Sequence, residues 1–264
     1  SYLQEEMLFD RNAKYTEVVA LGKRKDPVTL DSINDKTAIK ALIRSMDSVL
    51  PLVLILSAII FSMDIVAKDR KHTSLMKGLP LSEAKRMFIK ALVIVLGMFL
   101  AILPLTIGFL GIGLSQSFGS LSEPIASSFY LGNKPLLSEL SYRIIPASQY
   151  LMNFTLLISL FIICFILISL LLSYWIKNAY FLMVVLLGLP FIELFYNRFG
   201  YGDIHRITYL PFSYVRVGEV VSGHRSFFFA DPTLTYQMGL IVVLISSGIL
   251  FALLAIVTRF KRSV

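Results

Sequence analysis

Five stretches of the chain are rich in Leu, Ile, Val and Phe and nearly free of charge: 49–66, 91–114, 150–174, 178–196 and 236–258. Asp64 stands near the end of the first, and Glu193 near the far end of the fourth. A helix needs about 20 apolar residues to cross a hydrocarbon core of roughly 30 Å. The run 91–114 is long enough to cross with some tilt. Five such helices buried in a soluble core would leave too little polar chain to cover them. The pattern predicts an all-α integral membrane protein with five spans.

Residues 1–48 carry eight acids and eight bases and contain no apolar run of signal-peptide type. They read as a polar, helical segment. Asp35 is placed to cap a helix beginning at Lys36. In that helix Ile39, Leu42, Ile43 and Met46 fall on one face at i, i+3, i+4, i+7 spacing. The helix is expected to run straight into the first span. The permease domain is then 49–264, with external loops at 115–149 and 197–235.

Composition agrees with the spans. The chain is 56% hydrophobic and 16% charged, with a net charge of +8 and a mean hydropathy of +0.74. Soluble domains carry about 25% charged residues. Alternating the loops between two sides separates the charge cleanly. The side holding 1–48, 115–149 and 193–235 has 14 bases and 14 acids. The other, holding 64–90, 175–178 and 259–264, has 11 bases and 3 acids. Lys and Arg in short loops mark the cytoplasmic side. The second side, with the C-terminus, is therefore assigned to the cytoplasm. Five spans then leave the N-terminal segment outside, although nothing in it would export it. The expectation is one earlier span, six in all.

The densest basic stretch is 64–90, with seven bases and three acids. Thr73–Lys77 reads as a short helix, broken by Gly78 and Pro80. Ser82 is placed to cap the next helix, with Lys85 and Arg86 at the interface. Such a loop serves either to dock a soluble partner or to contact anionic lipid, or only to fix orientation.

These residues resemble those of the permease subunits of ABC-2-type ABC transporters. In that family an acidic residue follows the second span. A Gly-Thr pair, a Leu-rich turn, Pro-x-Ser and a Lys entering the third span come after it. The corresponding residues are Asp69, Thr73, Leu75, Leu79, Pro80-Leu81-Ser82 and Lys90, with Arg70 and Lys71 inside the motif. Asp69 stands where Glu is common, and His72 where Gly is common. The motif covers about 25 residues. The resemblance implies a type V exporter-like helix bundle whose loop 67–90 is a coupling helix. That helix would sit in a separate ATP-binding subunit, present in two copies, which holds ATP and Mg. A second permease chain, identical or not, would complete the assembly in a bacterial cytoplasmic membrane. Trp175 and Lys177 would form a second, smaller contact with the ATPase. An ordinary turn with an interfacial Trp is the other reading of that pair.

The chain has no G-x-x-x-x-G-K-[ST] phosphate loop, so it binds no ATP of its own. It has no G-x-S-x-G elbow and no H-E-x-x-H spacing, and His72, His205 and His224 are scattered. Cys164, the single cysteine, excludes a disulfide framework or a cysteine zinc site within the chain. No catalysis, metal, cofactor or nucleic acid is expected of it. The central spans hold almost no ionisable residue, and Asn153 is the nearest polar candidate. Asp64 and Glu193 read as interfacial. Gly97, Gly108, Gly111 and Gly113 flank Pro104 and favour close helix packing over a bend.

So apolar a lining suits a hydrophobic or amphipathic cargo such as a peptide, drug or lipid-like molecule. The aromatic stretch Tyr209–Tyr214 and Phe227–Phe229 reads as interfacial anchoring, with an aromatic site as the other reading. The function expected is ATP-driven export. The alternative is a peptide-sensing or resistance module that signals without transport.

Overall fold

A computed structural model describes residues 2–23, 36–71, 83–128, 142–198, 208–229 and 231–260. The described chain is mainly helical. In order it forms α1 (Tyr2–Gly22), α2 (Ala38–Asp47), α3 (Leu50–Lys71), α4 (Glu83–Ser115), β1 (Pro124–Ser128), β2 (Tyr142–Pro146), α5 (Ala147–Trp175), α6 (Ala179–Gly188), α7 (Ile192–Arg198), α8 (Val217–Ser222), α9 (His224–Phe228) and α10 (Tyr236–Phe260). Single 3-10 turns cover Leu189–Phe191 and Pro211–Tyr214.

Among the described residues, three helices are long and apolar enough to cross a membrane: α4 over Phe88–Ser115, α5, and α10 over Tyr236–Arg259. The 28-residue apolar part of α4 rises about 42 Å at 1.5 Å per residue. α2 and α3 together form a fourth candidate, bent by 67°. The run 178–196, read from sequence as one span, contains the shorter apolar helix Ala179–Phe191 and then α7. Pro190 lies inside the 3-10 turn between them. Proline has no N–H to give to the preceding turn, and its ring crowds the carbonyl four residues back.

α5 is the centre of the bundle. Tyr150, Phe154, Leu157 and Phe161 on it are buried against Ile55 and Ile59 of α3 and Leu182 and Leu186 of α6. A hydroxyl pair, Ser62 to Ser169, joins α3 to α5 inside this apolar packing. α4 and α10 are peripheral. Phe99, Leu100, Ile107, Leu244 and Phe251 are all more than half exposed. Apolar surface this extensive needs a covering medium, and hydrocarbon supplies one. Ile94 near the start of α4 meets Leu170 and Leu171 near the end of α5 and Leu254 near the end of α10. The helix ends leading to the basic segments therefore share one end of the bundle.

The opposite end carries a small cap. α2 begins where the Thr37 hydroxyl accepts from Lys40 N. The loop after α4 supplies carbonyls to the next free donors, Ala38 N to Ser117 O at 2.9 Å and Ile39 N to Phe118 O at 3.2 Å. Thr37, in place of the predicted Asp35, is thus the capping residue; Asp35 lies outside the described residues. Gly119 closes that loop at φ +79°, a left-handed conformation that glycine adopts without strain. Ile39, Ile43 and Met46 of α2 are buried, with Leu42 packed beside them.

Two expectations are corrected here. First, α2 does not run straight into α3. A continuous helix would need residue 51 to donate to the carbonyl of Asp47, and Pro51 has no N–H. The chain breaks at Ser48–Val49 and restarts at Leu50. Second, 115–149 is not only a connecting loop in an all-α fold. β1 and β2 pair antiparallel, with Pro124 opposite Pro146 and Ile125 opposite Ile145. Both isoleucines enter the core. α1 lies on this hairpin. Glu17 accepts from Ala126 N at 2.8 Å and pairs with Lys40, whose ammonium also donates to Pro124 O at 3.2 Å.

Candidate functional site

The bend between α2 and α3 and the 3-10 turn at Pro190 lie on the same side of the bundle and leave a cavity of about 880 Å³ between them. One wall is the joint itself, Asp47 to Leu52. The facing wall is Pro190, Phe191 and Glu193, and α8 and α9 contribute Glu219, Arg225 and their neighbours. Each element is placed by local chemistry. Ser48 ends α2, its N–H bonding Ser45 O and its hydroxyl bonding Arg44 O at 2.9 Å. Tyr150, fully buried on α5, donates to Asp47 Oδ1 at 2.6 Å. α8 lies so close to the end of α2 that only glycine fits at 218.

The polar lining is an alternating charge ladder. Arg216 Nη1 donates to Glu219 Oε1 at 2.9 Å. Glu219 Oε2 accepts from Arg225 Nη1 at 3.3 Å. The other terminal nitrogen of Arg225, Nη2, is paired with Glu193. The Arg225 and Glu193 side chains are 6% and 8% exposed, so both charges sit in low dielectric and depend on each other. Burial pulls the Arg225 pKa down to about 10, which leaves it charged at neutral pH. Its guanidinium also stacks on Phe229, 5.0 Å from the ring centre, while Nε is buried without a hydrogen-bond partner. Beside the cavity, burial raises the Tyr214 hydroxyl and keeps it neutral.

The sequence motifs fall elsewhere. Thr73, Leu75, Leu79, Pro80 and Ser82 lie outside the described residues. Asp69, Arg70 and Lys71 belong to the last turn of α3, and Lys90 is half-buried on α4. Trp175 ends α5 and is 64% exposed. Lys177 is exposed in the three-residue turn that Asn178 closes by accepting from Tyr180 N and Phe181 N. Gly97 faces Phe61 of α3, where a Cβ would meet the ring at 3.1 Å. A Cβ on Gly108 or Gly111 would meet nothing within 4 Å. Asn153 is half-buried on α5, far along the chain from the ladder. Of those whose side chains are described, none lines the cavity.

Sequence reasoning treated Glu193 as interfacial and passed over Arg216, Glu219 and Arg225. The available signal was four charges inside or beside an aromatic, apolar stretch, two of them at i, i+3 spacing. Among the described residues, no group of His, Cys, Asp and Glu is arranged to hold a metal ion. No protein-family model, curated protein or solved structure matches the chain.

Proposed function

We propose that the chain is the membrane-spanning subunit of an ATP-driven exporter of the ABC-2 type, moving a hydrophobic or amphipathic cargo outward. The observation that carries this reading is the segment Asp69–Lys90, with its Pro80-Leu81-Ser82, between two apolar helices that pack on each other. The stretch 64–90 has seven bases and three acids, and α4, which leads out of it, packs near its start against the ends of α5 and α10, next in sequence to Lys177 and Arg259. An ATP-binding subunit seated on that end, with ATP and Mg of its own, would move α3 and α4 as a pair. The bend at Pro51 and the break at Pro190 sit at the far end of this lever and give the outer end joints that can yield.

The test is to express the chain with a candidate ABC-type ATP-binding subunit from the same organism and isolate one through a tag on the other. The unaltered pair is expected to co-purify. Deleting Thr73–Lys77, or replacing Pro80 and Ser82 together with Ala, should lower recovery of the ATPase at least tenfold while the chain stays in the membrane. Recovery unchanged in both variants would end the coupling assignment. The ligand-sensing reading is supported by the outer cavity. Cargo retained inside cells lacking the chain separates transport from sensing.

A further inference from the structure

The four charges of the ladder sum to zero, but they are not equally accessible. Arg225, Glu193 and Glu219 are 6%, 8% and 17% exposed, whereas Arg216 is 51% exposed. Within the ladder, the group that an incoming molecule meets is therefore a guanidinium. The bond of Arg216 to Glu219 uses Nη1. A guanidinium carries five donors in a planar fork, which matches the oxygens of a phosphate. Arg216 can keep Glu219 and still take a phosphate. Glu219 also holds Arg225, so sharing Arg216 leaves no carboxylate of the ladder unpaired. Asp47, on the other wall, is already engaged, with the Tyr150 hydroxyl among its partners.

The rest of the wall is apolar, with Leu52, Pro190, Phe191 and Phe229 beside Val49. Val49 also opens a track that leaves the cavity. Val49, Val53 and Ile60 are 61%, 44% and 50% exposed. At i, i+4 and i+11 they fall on one face of α3. From the first to the last the track runs about 16.5 Å at 1.5 Å per residue. The level suits a headgroup. The apolar run of α3 starts at Leu50, and the shorter apolar helix Ala179–Phe191 ends on the facing wall. Hydrocarbon thus gives way to the cap at the cavity, with Arg216 at the start of α8 and the track along α3. A volume of about 880 Å³ lies within the roughly 300–1,000 Å³ of sites that take one small molecule, room for a headgroup and the first part of a chain.

We propose that this cavity seats one membrane phospholipid, its phosphate on Arg216 and one acyl chain along Val49, Val53 and Ile60. A zwitterionic head adds no net charge to a balanced ladder. Binding of the lipid is independent of the export reading above; only a role as cargo would rest on that reading. The two fail separately, since binding is measured on the chain without an ATPase.

The chain is purified in detergent and titrated with dioleoylphosphatidylethanolamine under native mass spectrometry. One bound lipid is expected to saturate before any further adduct forms. Dioleoylglycerol, with the same chains and no phosphate, should bind at least tenfold more weakly. Arg216→Gln should weaken phospholipid binding about tenfold, and Arg216→Lys should recover part of it. Val49→Asp places a carboxylate at the head of the track. It should weaken binding at least tenfold with the melting temperature unchanged, because the position is exposed and Asp is favoured just before a helix. This second site keeps the test open if the loss of Arg216 loosens the ladder. Equal binding of dioleoylglycerol, or full binding in Val49→Asp, overturns the proposal. So does displacement of the lipid by millimolar inorganic phosphate, which would make the cavity a site for the free anion. An absence of any saturable adduct overturns it as well, and says nothing against coupling to an ATPase.

Discussion

Arg225→Ala should destabilise the purified chain by about 3–5 kcal/mol, the range for removing one partner of a buried ion pair. The reason lies in what is left behind. Glu193 is held near the Pro190 break with its side chain 8% exposed, and Glu219 is 17% exposed on α8. Without the guanidinium, two carboxylates share a low-dielectric site in which Arg216 is the remaining cation of the ladder among the described residues, and Arg216 is half exposed. The cation stacked on Phe229 is lost as well. Thermal unfolding in detergent measures the loss. Two companions identify its cause. Arg225→Lys should recover only part of the stability, because an ammonium cannot bridge both carboxylates as a planar fork does. The double variant Glu193→Gln, Arg225→Met should lose less than Arg225→Ala, since it leaves no unpaired charge between the broken helix and α9. Equal stability of Arg225→Ala and the unaltered chain would mean that the ladder does not hold the cap to the bundle.

Gly218→Val should cost about 3 kcal/mol, the upper end for forcing volume into a packed interior. A Cβ at 218 would lie 2.1 Å from the Met46 carbonyl oxygen and 2.6 Å from Asp47 Cα. Those are backbone atoms of the last turn of α2, so no side chain can rotate away, and α8 must lift. The variant should also change the cavity, because Asp47 and Glu219 stand on the two helices being forced apart. Gly108→Ala is the matched control. A Cβ there meets nothing within 4 Å, and alanine is the better helix former by about 1 kcal/mol. It should leave the melting temperature unchanged or slightly higher.

The apolar runs were legible because hydrocarbon imposes one requirement on every residue of a span, and 91–114, 150–174 and 236–258 all lie inside single helices. The face of Ile39, Leu42, Ile43 and Met46 was legible for a similar reason, since burial follows helical period. What was not read is where continuous patterns are cut. Pro51 separates two helices at a bend, and at Pro190 the helical chain tightens into a 3-10 turn; neither interrupts the hydrophobicity, so a count of apolar residues runs across both. The hairpin was missed although Tyr142-Arg-Ile-Ile carries aromatic and β-branched residues suited to a strand. Its partner Pro124–Ser128 is weakly patterned and lies at a distance in sequence. The charge ladder was least legible. Glu193, Arg216, Glu219 and Arg225 are spread over more than thirty residues, and only the fold brings them to one wall.

The central claim is that the segment after α3 seats on an ATP-binding partner, and one measurement addresses it directly. A photo-reactive amino acid, p-benzoylphenylalanine, is placed at Leu75 in one preparation and at exposed Tyr209, on the other side in the sequence-derived topology, in a second. Both are expressed with a candidate ABC-type ATP-binding subunit from the same organism and irradiated in intact membranes. The account predicts a covalent product of the chain with the ATP-binding protein from position 75, and none from position 209. No product from position 75, or equal yields from both positions, would contradict it.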